Sequence, residues 1–271
     1  MSVYNLEGVE INAAYSVDDA SLADVYDVDG TRIGFSEPER QWLDTAVITG
    51  LPNISVTGVK QGGCTDGTYI YQCSGDSSNY TYMTIIKYKI ADGTYTSITY
   101  NGTPNFGHAN DMTYNPNTGY LYVCTMLSDG SVIVLDASDL SYVDTIYITN
   151  QNEQPYAVWQ FCYDREHDCY YSSYGAGICV YDSDWSLLEY RSMDAHPSAT
   201  GQGCETDGEY YYRITYNPNL VNVCTLTGEF VKNITNPAAN EPEAIMYDWD
   251  GHFYFSKYNG SPLFSRIQLY E

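Results

Sequence analysis

Five segments of this 271-residue chain follow one pattern: a polar residue, a short apolar stretch, an Asp or Asn turn, then an aromatic-rich strand. They are QGGCTDGTYIYQC from Gln61, NDMTYNPNTGYLYVC from Asn110, WQFCYDREHDCYYSS from Trp159, QGCETDGEYYYRI from Gln202 and EAIMYDWDGHFYFSK from Glu243. Their starts are about 40 to 50 residues apart, the length of one four-stranded propeller blade. Such a repeat constrains the fold strongly, because no unit can bury its apolar faces alone.

Each unit fills out strand by strand. The first has a turn at Asp66-Gly67, strands through Tyr69 to Cys73 and Tyr82 to Ile90, a turn at Asp92-Gly93, and a strand from Tyr95 to Tyr100. The second runs GYLYVCTML, SVIVLD and SYVDTIYI; the third CYYSS, ICVYD and SLLEYRS; the fourth EYYYRITY, NLVNVCTL and EFVKNIT. Asp-Gly and Asn-Pro fall where hairpins need positive φ or a pre-set turn. The fifth unit ends at Glu271 without an outermost strand, which leaves an edge unpaired. Residues 44 to 51, DTAVITGL, have strand character and would close that edge. The expected fold is therefore all-β: a five-bladed β-propeller over residues 44–271, closed by an N-terminal strand and preceded by a short docking segment, residues 1–43.

Composition agrees with strands. There are 30 Tyr and the aromatic share is 15%, and a pleated, half-buried surface suits such side chains. No sustained helical periodicity competes with the alternating runs. With 35 acidic and 11 basic residues the net charge is −24, which repels phosphate backbones and argues against a nucleic-acid partner. MSVYNLEGVEINAAYS has neither the basic region nor the apolar core of a signal peptide, and no run is long enough to span a bilayer, so no membrane insertion is expected. The eight cysteines sit mostly in strand-like runs and read as reduced; no CxxC or zinc-finger spacing occurs, and no metal or cofactor is expected.

The innermost strand of a propeller blade faces the central channel, so the first polar residue of each repeat should converge at one mouth. These positions are Gln61, Asn110, Trp159, Gln202 and Glu243, with His108, Asp111, Gln160, Glu205 and Glu241 close by. The candidate ligand-binding set is Gln61, His108, Asn110, Asp111, Trp159, Gln202 and Glu243. Amides donate and accept together, Trp159 offers a stacking face and Glu243 can fix a hydroxyl or a cation, which suits capture of a sugar or a small polar molecule. His108 and Asp111 have no close counterparts in the other units.

The leader differs from the rest. AYSVDDASL and VYDVDGTRI form a near-repeat, with short strand-like pieces around DVDG, and FSEPERQWLD follows as a polar linker. It is too small for a core of its own. Its VYDVDGTRIG phrase resembles the N-terminal attachment segments of tail and virion proteins from phages of Gram-positive and gut bacteria. GHANDMTYNPNTGYLYV likewise resembles a repeat in propeller-like proteins of such bacteria and their phages. The resemblance implies a virion-attached protein made in the bacterial host cytoplasm, with other virion proteins as partners through the leader and a host-surface glycan as a candidate ligand. Reduced cysteines fit assembly in that compartment.

A non-enzymatic structural or adhesive role is therefore expected. The alternatives are a glycan-active hydrolase with carboxylates in the channel and a binder of a small polar ligand. For hydrolysis, Asp111, Glu205 and Glu243 would supply the paired carboxyls, but the five equivalent ring positions include two Gln, one Asn and one Trp. GDSSN at 75–79 and MDAH at 193–196 lack the strand-to-helix setting of a serine hydrolase. Asp27-Val28-Asp29-Gly30 and Asp248-Trp249-Asp250-Gly251 begin like calcium loops, but position twelve is Pro38 or Asn259, so both read as hairpin turns. His167 and His252 fall at predicted turns, facing solvent.

Overall fold

A computed structural model describes residues 40–75, 82–174, 176–193, 200–238 and 240–271, together with four two-residue strands of the leader. The chain separates into two compact units, Met1–Gln41 and Trp42–Glu271. In the first, β1 (Val3–Tyr4) pairs with β2 (Glu10–Ile11), and β3 (Val25–Tyr26) pairs antiparallel with β4 (Arg32–Ile33). The latter pair flanks DVDG, as the near-repeat predicts; the turn itself lies outside the described residues, as do residues 76–79 of GDSSN and 194–196 of MDAH.

The larger unit begins with β5 (Trp42–Gly50) and continues as successive antiparallel sets. The first is β6 (Val59–Thr65), β7 (Tyr69–Gly75), β8 (Tyr82–Lys89) and β9 (Tyr95–Asn101). The next is β10 (Asp111–Asn115), β11 (Tyr120–Cys124), β12 (Ser131–Asp136) and β13 (Tyr142–Tyr147). There follow β14 (Phe161–Asp164), β15 (Cys169–Tyr174), β16 (Gly177–Asp182) and β17 (Leu187–Ser192). After them come β18 (Thr200–Thr206), β19 (Tyr210–Tyr216), β20 (Leu220–Thr225) and β21 (Phe230–Thr235). The last three are β22 (Pro242–Tyr247), β23 (Phe253–Lys257) and β24 (Phe264–Tyr270). No helix occurs among the described residues.

The inner strands neighbour one another in a cycle: β6 lies beside β10, β10 beside β14, β14 beside β18, β18 beside β22, and β22 beside β6. The arrangement is propeller-like. β5 pairs antiparallel with β24, Ile48 opposite Ile267 and Val47 opposite Gln268, so the expected closing segment does cover the last edge, starting two residues earlier than DTAVITGL. One feature departs from separate four-stranded units. A single parallel bridge, Thr235 to Thr45, joins β21 to β5 and merges the last two sets into one eight-stranded sheet. An ion pair from Lys232 to Asp44 at 2.5 Å lies alongside.

Apolar clusters fill the spaces between successive sets. Tyr71 and Ile85 meet Met112 and Val123; Val132 and Val134 meet Phe161 and Tyr170; Ile178 and Val180 meet Tyr211 and Cys224. Tyr212 and Val223 meet Phe255 and Ile267, and Met246 and Phe264 meet Ile70 and Ile86 across the closure. Along β22, Ala244 and Met246 enter one cluster while Ile245 enters the next, because alternate side chains leave a strand on opposite faces. All eight cysteines are free and buried, serving as small apolar residues.

Many tyrosines carry their hydroxyls into turns. Tyr71 donates to Asp66 at 2.7 Å and Tyr212 to Asp207 at 2.6 Å, while each aspartate also accepts the backbone amides of its own turn. Tyr171 with Asp164 and Tyr254 with Asp248 repeat the arrangement at 3.3 and 3.2 Å. There the aspartate also meets Nδ1 of His167 at 2.8 Å or of His252 at 2.9 Å. Both histidines stay partly exposed, as expected, but each is tied to its turn. The second DxDG phrase is such a hairpin turn: Asp248 accepts the amides of Asp250 and His252. Part of the acidic surplus is thus turn chemistry: an Asp at each site orders a loop and holds a buried phenol.

Candidate functional site

The polar residues that begin each repeat gather where the inner strands start, and the hydrogen bonds divide them into two groups. One group is committed to the fold. Asn110 donates Nδ2 to the carbonyl oxygens of Trp159, at 2.6 Å, and Gln202, at 3.0 Å, so it links three inner segments. Asp111 is fully buried; its Oδ1 accepts the Met112 amide at 3.0 Å, and its Oδ2 accepts those of Phe161 at 3.0 Å and Cys204 at 2.9 Å. Gln160 donates Nε2 to the Gly203 carbonyl at 2.9 Å and accepts from Ser173 and from Nε of Arg213.

The reason is geometric. The inner edge of each inner strand has no ladder partner across the channel, and a buried N–H without a partner is costly. Side chains of neighbouring inner strands supply the acceptors. Thr113 accepts the Tyr163 amide at 2.9 Å, and Glu205 accepts the Thr206 amide at 3.0 Å and the Tyr247 amide at 3.2 Å. Where β6 meets the segment before β10, the contact is backbone to backbone, from the Gly62 amide to the Ala109 carbonyl at 3.0 Å. A Cβ on Gly62 would stand 2.2 Å from the Asp111 Cα, so only glycine permits this approach.

The second group is less engaged by the fold. Glu243 is 2% exposed and accepts no hydrogen bond from any described residue. Burial pushes its carboxyl up to about 9, and the nearby Glu241 carboxylate adds to the shift. Gln61 is 3% exposed, and its side-chain oxygen is buried without a partner. Glu241, half-buried at the start of the β22 segment, accepts Nε2 of Gln202 and is also raised by burial. Its backbone carbonyl accepts the Tyr258 amide at 2.9 Å, and the Tyr258 carbonyl accepts the Lys60 amide at 3.3 Å, which joins the β22 and β6 ends. Trp159 is 46% exposed and displays its ring to solvent.

The other charged groups in this region are engaged. Lys60 is buried and donates Nζ to the carbonyls of Val56 and Gly58, and burial lowers its pKa. Arg213 is lowered for the same reason. Burial raises Asp111 well above the carboxylate range and takes Glu205 to about 8, although the backbone amides they accept pull the other way. His108 is half-buried, which lowers it, and its backbone amide donates to the Thr125 carbonyl at 2.9 Å. A separate shallow recess is lined by Val47, Thr49, His252, Arg266 and Gln268 and contains none of the ring residues. No cluster of three or more His, Cys, Asp or Glu able to hold a metal occurs among the described residues.

All seven candidates thus lie within three residues of the starts of their inner strands, but their roles differ. Asn110 and Asp111 are clamps, while Gln61, Gln202, Glu243 and Trp159 line what is left. The sequence pattern missed Gln160 as the centre of a buried network with Arg213 and Ser173; its place directly after the ring position Trp159 was the available signal.

No family model matches the chain, and no curated protein matches it. Among solved structures, the chain is similar to the glutaminyl cyclase of Myxococcus xanthus, with 14% identity, 86% of this chain and 99% of that chain covered, and a TM-score of 0.65. It is also similar to a structural genomics protein of unknown function from Bacteroides thetaiotaomicron, at 10% identity, 85% and 73% coverage, and a TM-score of 0.52. At these identities the likeness is one of fold.

Proposed function

We propose that the chain is a five-bladed β-propeller that acts without catalysis, as an adhesive binding module with a small polar ligand site at one mouth of its channel. Five apolar interfaces in cyclic order support the blade count. In this reading β5 is the outer strand of the last blade, and the eight-stranded sheet is two blades joined by one bridge at Thr235.

The observation that carries the binding function is the split within the polar ring: Asn110, Asp111 and Gln160 hold backbone groups of neighbouring inner segments, while the Gln61 oxygen is buried without a partner, Glu243 is buried with no hydrogen bond to its carboxyl among the described residues, and Trp159 stays exposed. Buried polar groups normally find partners, so such leftovers favour a ligand that supplies them. The hydrolase alternative has less support. It needs two working carboxyls, and Asp111 and Glu205 hold backbone amides with theirs.

The setting we propose is a phage particle, with Met1–Gln41 as the attachment unit and a host-surface glycan among the candidate ligands. It rests on the resemblance of the leader and repeat phrases, and mass spectrometry of purified particles tests it; absence of the chain would remove it. The site is tested by screening glycans and small polar compounds by saturation-transfer NMR against wild type and Trp159→Ala. Loss of at least about tenfold in affinity, about 1.4 kcal/mol, with an unchanged fold supports the channel mouth. Undiminished binding by the variant removes it.

A further inference from the structure

We propose that a recess between the first two four-stranded sets takes an oxyanion, a carboxylate or a sulfate group, held between the ammonium groups of Lys87 and Lys89. It is a site apart from the channel mouth, and none of the residues gathered at the starts of the inner strands lines it.

Strand register brings the lining together in a cavity of about 410 Å³. Lys87 on β8 stands opposite Tyr71 on β7 and Thr96 on β9. In the next row on the same face, Lys89 stands opposite Tyr69, and its backbone amide donates to the Thr94 carbonyl at 2.8 Å. Residues two apart on a strand share a face and cross-strand partners lie side by side, so both lysines rise from one side of the sheet. Ser138, from the turn between β12 and β13, lines the cavity from the second set, and Tyr95 adds a ring that is 44% exposed.

Contacts place both ammonium groups at this cavity. Lys87 Nζ donates to the carbonyls of Ala137 at 2.8 Å and Ser138 at 3.0 Å and lies 4.6 Å from the centre of the Tyr69 ring. Lys89 Nζ meets Asp92 Oδ2 at 3.0 Å, in the turn where Asp92 Oδ1 accepts the Thr94 amide and hydroxyl. The Asp92 carboxylate and, to a smaller extent, the Tyr69 phenol raise the Lys89 pKa, so the two lysines flank the same tyrosine.

The donor and acceptor balance of the lining runs one way. An ammonium carries three donors and no acceptor. Lys87 spends two on backbone carbonyls and Lys89 one on Asp92, which leaves N–H groups on both. The remaining lining side chains are hydroxyls, which serve either way, and none is a carboxylate. Thr94 and Ser138 give their protons to Asp92 and Asp136, and Tyr95 reaches the Ser55 carbonyl at 3.4 Å. Thr96 and Tyr69 have no side-chain hydrogen bond among the described residues. What is unmatched is therefore positive and donating, and its complement is an anion with several lone pairs.

The chain as a whole does not attract anions, since its net charge is −24. Attraction must act at short range, within a Debye length of about 8 Å at physiological salt. Two of the 11 basic residues meet in this cavity, and none of the 35 acidic ones lines it. The carboxylates of Asp66 and Asp136, in an adjoining recess that also reaches Lys87, are held by their own turns: Asp66 accepts the Thr68 and Tyr69 amides and the Tyr71 phenol, and Asp136 the Ser138 amide and hydroxyl. An oxyanion seated between the two ammonium groups relieves their mutual repulsion, and the exposed Tyr95 ring offers a surface to the body that carries it.

The test is calorimetric titration of the whole chain at pH 7 and low salt with benzoate, sulfate and benzyl alcohol. Benzoate carries the oxyanion on a ring, sulfate carries it without one, and benzyl alcohol keeps the ring without the charge. The expected result is saturable binding of benzoate or sulfate that Lys89→Met weakens at least about fivefold. That variant removes only an exposed ion pair from the fold, so its circular dichroism should not change. Asp92→Asn should strengthen binding, because it frees the Lys89 ammonium; a purely structural role for Lys89 predicts no such gain. If Lys89→Met does not fold, Asp92→Asn decides alone. Binding of benzoate only assigns a carboxylate on a ring-shaped body, and binding of sulfate only assigns a sulfate group. Benzyl alcohol binding as tightly as benzoate, anion binding unchanged in the folded variants, or no saturable binding of either anion overturns the assignment.

Discussion

The Oδ2 of Asp111 lies 2.9 Å from the backbone nitrogen of Cys204, 93 positions further along the chain, and the same oxygen also holds the amide of Phe161. One carboxylate thereby ties three inner strands together where no ladder can form between them.

Asp111→Asn should therefore be strongly destabilising. Asparagine has only one carbonyl oxygen, so an NH2 group must face at least one of the amides that Asp111 now accepts. An unsatisfied buried donor costs roughly 1–3 kcal/mol, and the expected loss is about 2–4 kcal/mol. Urea unfolding should show a lower midpoint with an unchanged m-value.

Gly62→Ala should destabilise by a comparable amount. Its Cβ would meet the Asp111 backbone at 2.2 to 2.5 Å, and neither inner strand can yield without breaking the Gly62 to Ala109 hydrogen bond. The same urea midpoint measures it. A neutral result would mean that the inner strands are free to move apart.

Glu243 predicts a pH dependence of stability. Its carboxyl stands at about 9 in the folded chain against an ordinary 4.5. The folded state keeps a proton that the unfolded state loses, so the stability contribution is complete below about pH 4.5 and declines as pH rises towards 9. The slope for this one group is on the order of 1 kcal/mol per pH unit across that window. Glu243→Gln should flatten the decline between pH 5 and pH 8, as read from thermal midpoints. An identical decline in wild type and variant would place the shift elsewhere.

Truncation separates the leader from the closing strand. Removing residues 1–41 should leave the main calorimetric transition in place, because β5 starts at Trp42. Removing residues 1–50 also deletes the partner of β24, the buried Ala46, and the edge-to-face contacts of Trp42 with Tyr210, at 5.0 Å, and Tyr270, at 5.5 Å. That chain should aggregate through its bare edge. A cooperative transition surviving the longer deletion would show that the closing strand is dispensable.

Much of the strand plan could be read from local signals. β16 and β20 fall within one residue of ICVYD and two of NLVNVCTL, because turn residues and period-two alternation act over a few positions. Even the pairing of β5 with the last strand followed from counting edges. The merger of two sets through Thr45 and Thr235 left no such trace, since it depends on where two strands come to lie side by side.

For the site, the sequence by itself determined which residues stand near the starts of the inner strands, because the repeat places equivalent positions there. Only the tertiary structure decided their roles. Asn110 and Asp111 read as ligand residues in isolation, yet their polar atoms meet backbone groups 49 to 93 positions away. Glu243, an equally ordinary carboxylate in the sequence, ends buried with no donor among the described residues. Whether a polar side chain is saturated or left open depends on which distant amides the closed ring brings within about 3 Å of it, and that distance is a property of the packed ring, not of any segment.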